Sequence, residues 1–457
     1  GETSIYRLGF GLNLDAQDRL EQSDLTDLSA QFFSEQVLTD FRSDEGEVTF
    51  DYEKRLSSDI TARVLALQTI ERDITAATST TGAGLYDSRE EALSGETIVR
   101  LAGSFTPSPQ ITTETSLELA HNFLDKQTSL SLNDAPVDLP SANVLVKEQR
   151  GEASVSARWR ASRAVIVEAA LAGEISSLTQ SGDVEKSKSF QFIKPRTSVT
   201  ITPADAWQVR AVAERIAGQL NFDDYASSPS LETGDVSVGN PDLTPETSWR
   251  FEAAVERTFW ERGAVTLTLS HAEVRDVIDL VPIDNRFDAP GNIGDGVRDE
   301  ISLALTAPLD RLGAPRTNVR FNGVWRMSEV TDPVSLTARR ISKERPFTGD
   351  VQVTREFPSL NSSAGLELFF GYSETSYRLN EIRIERASSD PLARLYWTWA
   401  PRPDLSVRVQ LENFTFRNRS RERILFDGGR AEGTPFFREN RTAIMDPFVF
   451  ARIRKTF

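Results

Sequence analysis

From Leu405 to Glu412 the chain alternates, with Leu405, Val407, Val409 and Leu411 set against Ser406, Arg408, Gln410 and Glu412. A period of two places the first set on one face of a strand and the second on the other. The same pattern predicts strands at Trp249, Phe251, Ala253, Val255 against Arg250, Glu252, Ala254, Glu256, and at Val265, Leu267, Leu269 against Thr266, Thr268, Ser270. No apolar run approaches the roughly 18 residues that a membrane-crossing helix needs. A soluble sandwich also alternates in this way, so the spacing of turns has to separate the two.

Short turn signals recur at Asp15–Arg19, Ser57–Asp59, Pro107–Pro109, Ser162–Arg163, Pro203–Asp205, Glu261–Gly263, Asp310–Gly313, Pro358–Ser359 and Arg402–Asp404. Their gaps are roughly 40 to 60 residues, each enough for a strand, a longer polar loop and a returning strand. Long polar loops are expected at Thr75–Glu96, Asn221–Asp242, Asp284–Gly296 and Arg417–Arg441, the Gly-rich Pro290–Gly296 being a flexible part of the third. Sandwiches and propellers repeat a strand every 8 to 12 residues or so. Tight turns at one end and long loops at the other are the layout of an antiparallel transmembrane β-barrel in a Gram-negative outer membrane.

The last stretch, Pro447 to Phe457, alternates as well. Val449, Ala451, Ile453 and Phe457 share one face, with Lys455 as its polar intruder, and Arg452, Arg454 and Thr456 share the other. Outer-membrane barrels commonly end on such a strand with a terminal Phe, and this is expected to be the signal for the barrel assembly machinery. Nine turns give about 19 strands, within an expected range of about 18 to 20 for this chain. On that count the first strand, Ile5–Leu14, and the last both run towards the short turns. Antiparallel closure then requires at least one further strand before Gly1.

Net charge is −16. This argues against nucleic acid as a partner, because a phosphate-binding surface wants basic excess. The absence of cysteine excludes disulfides, zinc thiolates and cysteine nucleophiles. His121 and His271 stand apart with no second histidine at metal-ligand spacing, and no nucleophile elbow or Walker sequence occurs. The acidic pairs Glu90-Glu91 and Asp223-Asp224 read as solvated loop carboxylates, and their spacing fits no EF-hand. No enzyme activity, metal or cofactor is expected. Tyr396, Trp397, Trp399, Trp159, Phe259 and Trp260 lie beside short turns, where an interfacial aromatic girdle would place them.

At Asn240-Pro241-Asp242-Leu243-Thr244-Pro245-Glu246 the sequence resembles TonB-dependent receptors, whose barrels carry an Asn-Pro-Asp-Leu-x-Pro-Glu segment before an outgoing strand. The Gly-Asn-Ile-Gly stretch leading to Glu300 is similar too, and the closing Arg452 to Phe457 resembles alphaproteobacterial members. The residues themselves predict a structural motif: Pro241 and Pro245 pre-set φ, Asp242 can close a local turn, and Glu246 can bind backbone. The resemblance implies that residues 1–457 are the barrel portion of a receptor with about 22 strands and a plugged lumen. Its amino-terminal plug and first strands are expected to lie outside this sequence. It further implies import of a siderophore, saccharide or other nutrient, energised by the TonB-ExbB-ExbD complex through the plug, in contact with outer-membrane lipid. A passive, plugless pore is the alternative.

Overall fold

The computed structural model describes residues 4–26, 32–81, 84–284, 287–387 and 391–456. Among them the regular structure is strand, interrupted by short 3-10 turns at Phe222–Tyr225, Leu309–Leu312 and Pro358–Leu360. No helix in the described residues is long and apolar enough to cross a membrane, which says nothing of crossing by strands. The chain divides into two compact units. The first holds Gly1–Val199, Ala213–Trp249 and Val274–Asp295, and the second holds Thr200–Val212, Arg250–Glu273 and Gly296–Phe457.

In the first unit β1 (Ser4–Thr26), β2 (Phe32–Arg55), β3 (Ile60–Thr81), β4 (Gly84–Ser108), β5 (Ile111–Leu132), β6 (Asn143–Arg160) and β7 (Val165–Gly182) pair in chain order, each antiparallel to the next. Opposed residues share a face, so the register can be read straight across. One row is Leu8, Phe50, Ala66, Val99, Leu119, Gly151 and Ile175; a row on the other face is Arg7, Asp51, Leu65, Arg100, Glu118, Glu152 and Glu174. The apolar face is left open, with Phe10 75%, Leu119 57% and Ile175 64% exposed.

Four more long strands follow in sequence: β8 (Lys186–Ala204), β9 (Trp207–Ala217), β10 (Thr247–Phe259) and β11 (Gly263–Arg275). In the second unit β12 (Gly296–Pro308), β13 (Thr317–Thr331), β14 (Phe347–Phe357), β15 (Ser362–Phe370), β16 (Leu392–Arg402), β17 (Leu405–Glu412) and β18 (Phe448–Lys455) again pair in order. Its apolar row is Ala307, Val319, Val353, Leu366, Leu395, Leu411 and Val449. The adjacent polar row is Thr306, Arg320, Gln352, Glu367, Arg394 and Glu412, ending on Phe448. The period-two reading of Leu405–Glu412 holds residue by residue.

Eight of the nine expected short turns join consecutive long strands. The ninth does not exist. Asp15–Arg19 lies inside β1, opposite Thr39–Ser43 of β2, with no Gly or Pro to force a reversal. Without it the long strands number eighteen among the described residues, and β1 runs away from the short-turn end of its ladder. The parity argument for a strand before Gly1 falls with that turn.

Two expected loops are also strands. Thr75–Glu96 continues the β3–β4 ladder up to the pair Thr81 and Gly84. Within Arg417–Arg441, Arg419–Phe426 and Pro435–Ala443 join Ser373–Tyr377 and Glu381–Ala387 in a four-stranded sheet of the second unit. The Gly-rich stretch is partly regular, since Phe287–Asn292 pairs with Ile278–Ile283.

Candidate functional site

The Asn240–Glu246 segment lies in the first unit, in the long connection between β9 and β10. Asn240 closes the local turn: its Oδ1 accepts from Asp242 N at 2.9 Å, while its Nδ2 donates to the Pro290 carbonyl at 2.8 Å. The turn-closing role expected of Asp242 thus belongs to Asn240. Asp242 instead meets Lys186 at 2.8 Å, and that hydrogen bond holds its carboxyl below the usual range. Thr244 is held on both sides by Asn292, whose Oδ1 accepts from Thr244 N and whose Nδ2 donates to Thr244 O, each at 2.9 Å. Glu246 does bind backbone, accepting from Ile278 N at 3.4 Å.

Between these ties Leu243 is fully buried with Val146, Leu178 and Tyr225. Burying such a leucine contributes about 1.5–3 kcal/mol. Three polar side chains reach from the ladder to the loop. Gln180 Nε2 donates to Tyr225 O at 3.3 Å, Lys188 Nζ to Leu243 O at 2.8 Å, and Thr128 Oγ1 to Ser227 O at 2.8 Å. Lys126, 6% exposed, bridges Glu90 at 2.8 Å and Asp223 at 3.3 Å. Glu90, on β4 and mostly covered, is therefore an ion-pair partner of a buried lysine, which corrects its reading as a solvated loop acid, whereas Asp223 stays an exposed loop carboxylate that also reaches this lysine. A Cβ at Gly239 would collide with the Tyr225 carbonyl, so the chain crosses itself only because that position lacks a side chain. The Tyr225 hydroxyl is buried with no hydrogen-bond partner among the described residues, and burial raises its pKa.

The second unit carries a different cluster. Asp332 accepts from Val334 N and Ser335 N and pairs with Arg339 at 2.5 Å and Arg430 at 2.8 Å. Burial alone would raise its pKa, but the Ser335 amide and both guanidiniums outweigh it and hold the carboxyl far below its usual range. Arg339 and Arg430 also lie over the Tyr377 ring, at 4.6 and 5.5 Å. In the four-stranded sheet, Arg423 binds buried Glu381 (2.8 Å) and Glu439 (3.2 Å), and Arg421 binds Glu439 at 3.3 Å. Nearby, a cavity of about 590 Å³ is lined by Arg298, Arg326, Arg345, Glu300, Glu344 and Glu374. The Arg298–Glu344, Arg326–Glu300 and Arg345–Glu374 pairs stand at 2.7, 3.1 and 2.9 Å, so its charges are largely matched.

Of the other candidates, Val449, Ala451 and Ile453 do share one face of β18, opposite Leu411, Val409 and Val407. Phe457 lies outside the described residues. Trp159, Trp397 and Trp399 are exposed on the apolar faces, as a girdle requires. Tyr396 is not: it is 7% exposed on the polar face, with Arg408 3.8 Å above its ring and Thr354 bonded to its hydroxyl at 3.0 Å. His271 meets Asp299 at 2.6 Å, and no group of three potential metal ligands exists among the described residues.

The family model described as TonB dependent receptor-like, beta-barrel, matches residues 2–438. The chain belongs to this family. Solved structures similar to the TonB-dependent receptor barrel include the siderophore receptor PiuA from Acinetobacter baumannii, with 11% identity, covering 99% of this chain and 75% of that one at a TM-score of 0.61. The ferric citrate transporter FecA in its unliganded form has 10% identity, covering 98% and 73% at 0.64. The ferric yersiniabactin uptake receptor FyuA from Yersinia pestis has 9% identity, covering 100% and 78% at 0.62. At such identities the likeness shows the fold. No curated protein matches the sequence. In a TonB-dependent receptor barrel of the outer membrane, the open apolar rows face lipid and the polar rows face the lumen. Leu243 was legible from its motif. Lys126 and Tyr225 were not, because nothing in a polar-face lysine or a loop tyrosine announces burial.

Proposed function

We propose that this barrel belongs to a receptor that imports a small ligand across the outer membrane with energy from TonB-ExbB-ExbD, delivered through a plug. The observation that carries this reading is the family match over residues 2–438, on a chain whose strands keep one apolar and one polar face. Iron chelates are the first ligand class to test, because structurally similar proteins are receptors for a siderophore, ferric citrate and ferric yersiniabactin. The wider set of about 22 strands with a plug belongs to the same reading. So do the loop-anchoring role of Asn240, Pro241, Asp242, Leu243, Pro245 and Glu246, and recognition of Val449, Ala451, Ile453 and Phe457 by the assembly machinery. The test is uptake of radiolabelled ferric chelates by cells carrying the native protein, with and without TonB. Uptake that vanishes without TonB is the expected result. Uptake or conductance indifferent to TonB would replace the importer with a passive pore.

A further inference from the structure

The polar face of the first unit is interrupted at one place. Leu124 and Leu130 of β5, Val144 and Val146 of β6 and Leu178 of β7 lie on the same face as Glu118, Glu152 and Glu174, yet all five are buried, Val146 at 0% and Leu178 at 1% exposure. A row of apolar side chains on a water-facing wall is unfavourable unless something covers it. Over Val146 and Leu178 the cover is the connection between β9 and β10, which lays Tyr225 and Leu243 on them. Around this contact the loop is tied by Lys126, Thr128, Gln180 and Lys188 from below and by Pro290 and Asn292 from the side.

We propose that the 221–246 loop is a fixed, inward-folded constriction of the lumen, seated on its own apolar patch and pinned by Leu243. The lumen-facing placement rests on the proposed receptor reading, and within it the Asn240–Glu246 motif holds a wall in place rather than serving a moving lid. Three features favour a wall. The centre of the contact is Val146, Leu178, Leu243 and the Tyr225 ring, all fully buried, so its cohesion rests mainly on apolar burial rather than on charge. The Ser227 amide donates to Ser141 O, in the connection between β5 and β6, at 3.0 Å, and the Asn240 amide to Asp224 O at 2.9 Å, so the loop meets a neighbouring connection and itself through backbone. The close crossing at Gly239 leaves no room for the loop to slide while staying folded. Ligands passing the β5–β7 wall would then meet the outer surface of this loop rather than Val146, Leu178 or Lys126.

The experiment is hydrogen exchange on the native protein purified from outer membranes. The readout requires neither TonB nor an open lumen, so this inference and the importer reading fail separately. In the native protein the amides of Ala226, Ser227, Val238 and Asn240 should exchange as slowly as those of β6 and β7. Leu243→Asp should speed them by about 100-fold. Should that variant fail to assemble, Asn240→Ala should speed them in smaller degree. Native loop amides that exchange like open loops would overturn the fixed constriction and establish a moving lid, and loop amides that stay slow in both variants would overturn the pinning role of Leu243 and its motif.

Discussion

Two regions beyond the ordinary strand pattern are ordered by opposite means. The loop of the first unit is centred on Leu243, Tyr225, Val146 and Leu178, with single ion pairs to Lys126 and Lys186 beside that apolar centre. The outer segments of the second unit are centred on charge: Asp332 with Arg339 and Arg430, Glu381 and Glu439 with Arg421 and Arg423. Apolar burial involves no titratable charge and is indifferent to pH. A buried ionic cluster is cohesive only while every partner is present and charged, because removing one leaves another desolvated without compensation. The two regions should therefore fail under different insults.

The largest effect is expected at Asp332. Asp332→Asn leaves two buried guanidiniums facing a neutral group and should destabilise the 332–345 segment locally by about 3–5 kcal/mol, seen as faster amide exchange there and unchanged exchange in 221–246. Close behind, Leu243→Ala should cost the loop about 2–5 kcal/mol by the same measurement, with 332–345 untouched. If either substitution loosens both regions equally, the contrast between them is void. Tyr225→Phe should act in the opposite direction. It removes a buried hydroxyl that has no partner among the described residues, and should tighten the loop by about 1–3 kcal/mol. Lys186→Ala breaks an exposed pair with Asp242 and should change the loop by less than about 1 kcal/mol.

Acid sharpens the same comparison. A carboxyl whose folded pKa is depressed stabilises above its unfolded value and loses that contribution as pH falls towards the folded one. Asp332 and Glu381 are both depressed, Glu381 because Arg423 and Arg383 outweigh the burial that would raise it. The second unit's outer segments should thus become susceptible to pepsin progressively below about pH 4, while the 221–246 loop, which loses its Asp223 and Asp242 links but keeps its apolar centre, stays resistant longer. Equal cleavage of both at every pH would contradict this.

The strand faces were legible because lipid enforces them. Where one face meets hydrocarbon, an apolar residue is required at every second position, and Leu405 to Leu411 or Val449 to Ile453 spell this out. Beyond the hydrocarbon that requirement lapses. Thr75–Glu96 and Arg417–Arg441 carry polar and charged residues on both faces with no apolar period of two, and so read as loops. They remain strands because backbone hydrogen bonds extend the ladder regardless of side-chain polarity. The same lapse makes Asp15–Arg19 look like a turn when it is a paired stretch of β1.

The sequence by itself determined the all-β class, eight of the short turns, the two faces of the long strands and the family, since each depends on local pattern or on a contiguous motif. Only the tertiary structure decided that Lys126 is buried and that Leu243 seats a loop on an inward apolar patch. Those outcomes depend on residues about a hundred positions apart meeting in space, as Lys126 meets Asp223, and no local pattern specifies which polar-face side chain a distant loop will cover.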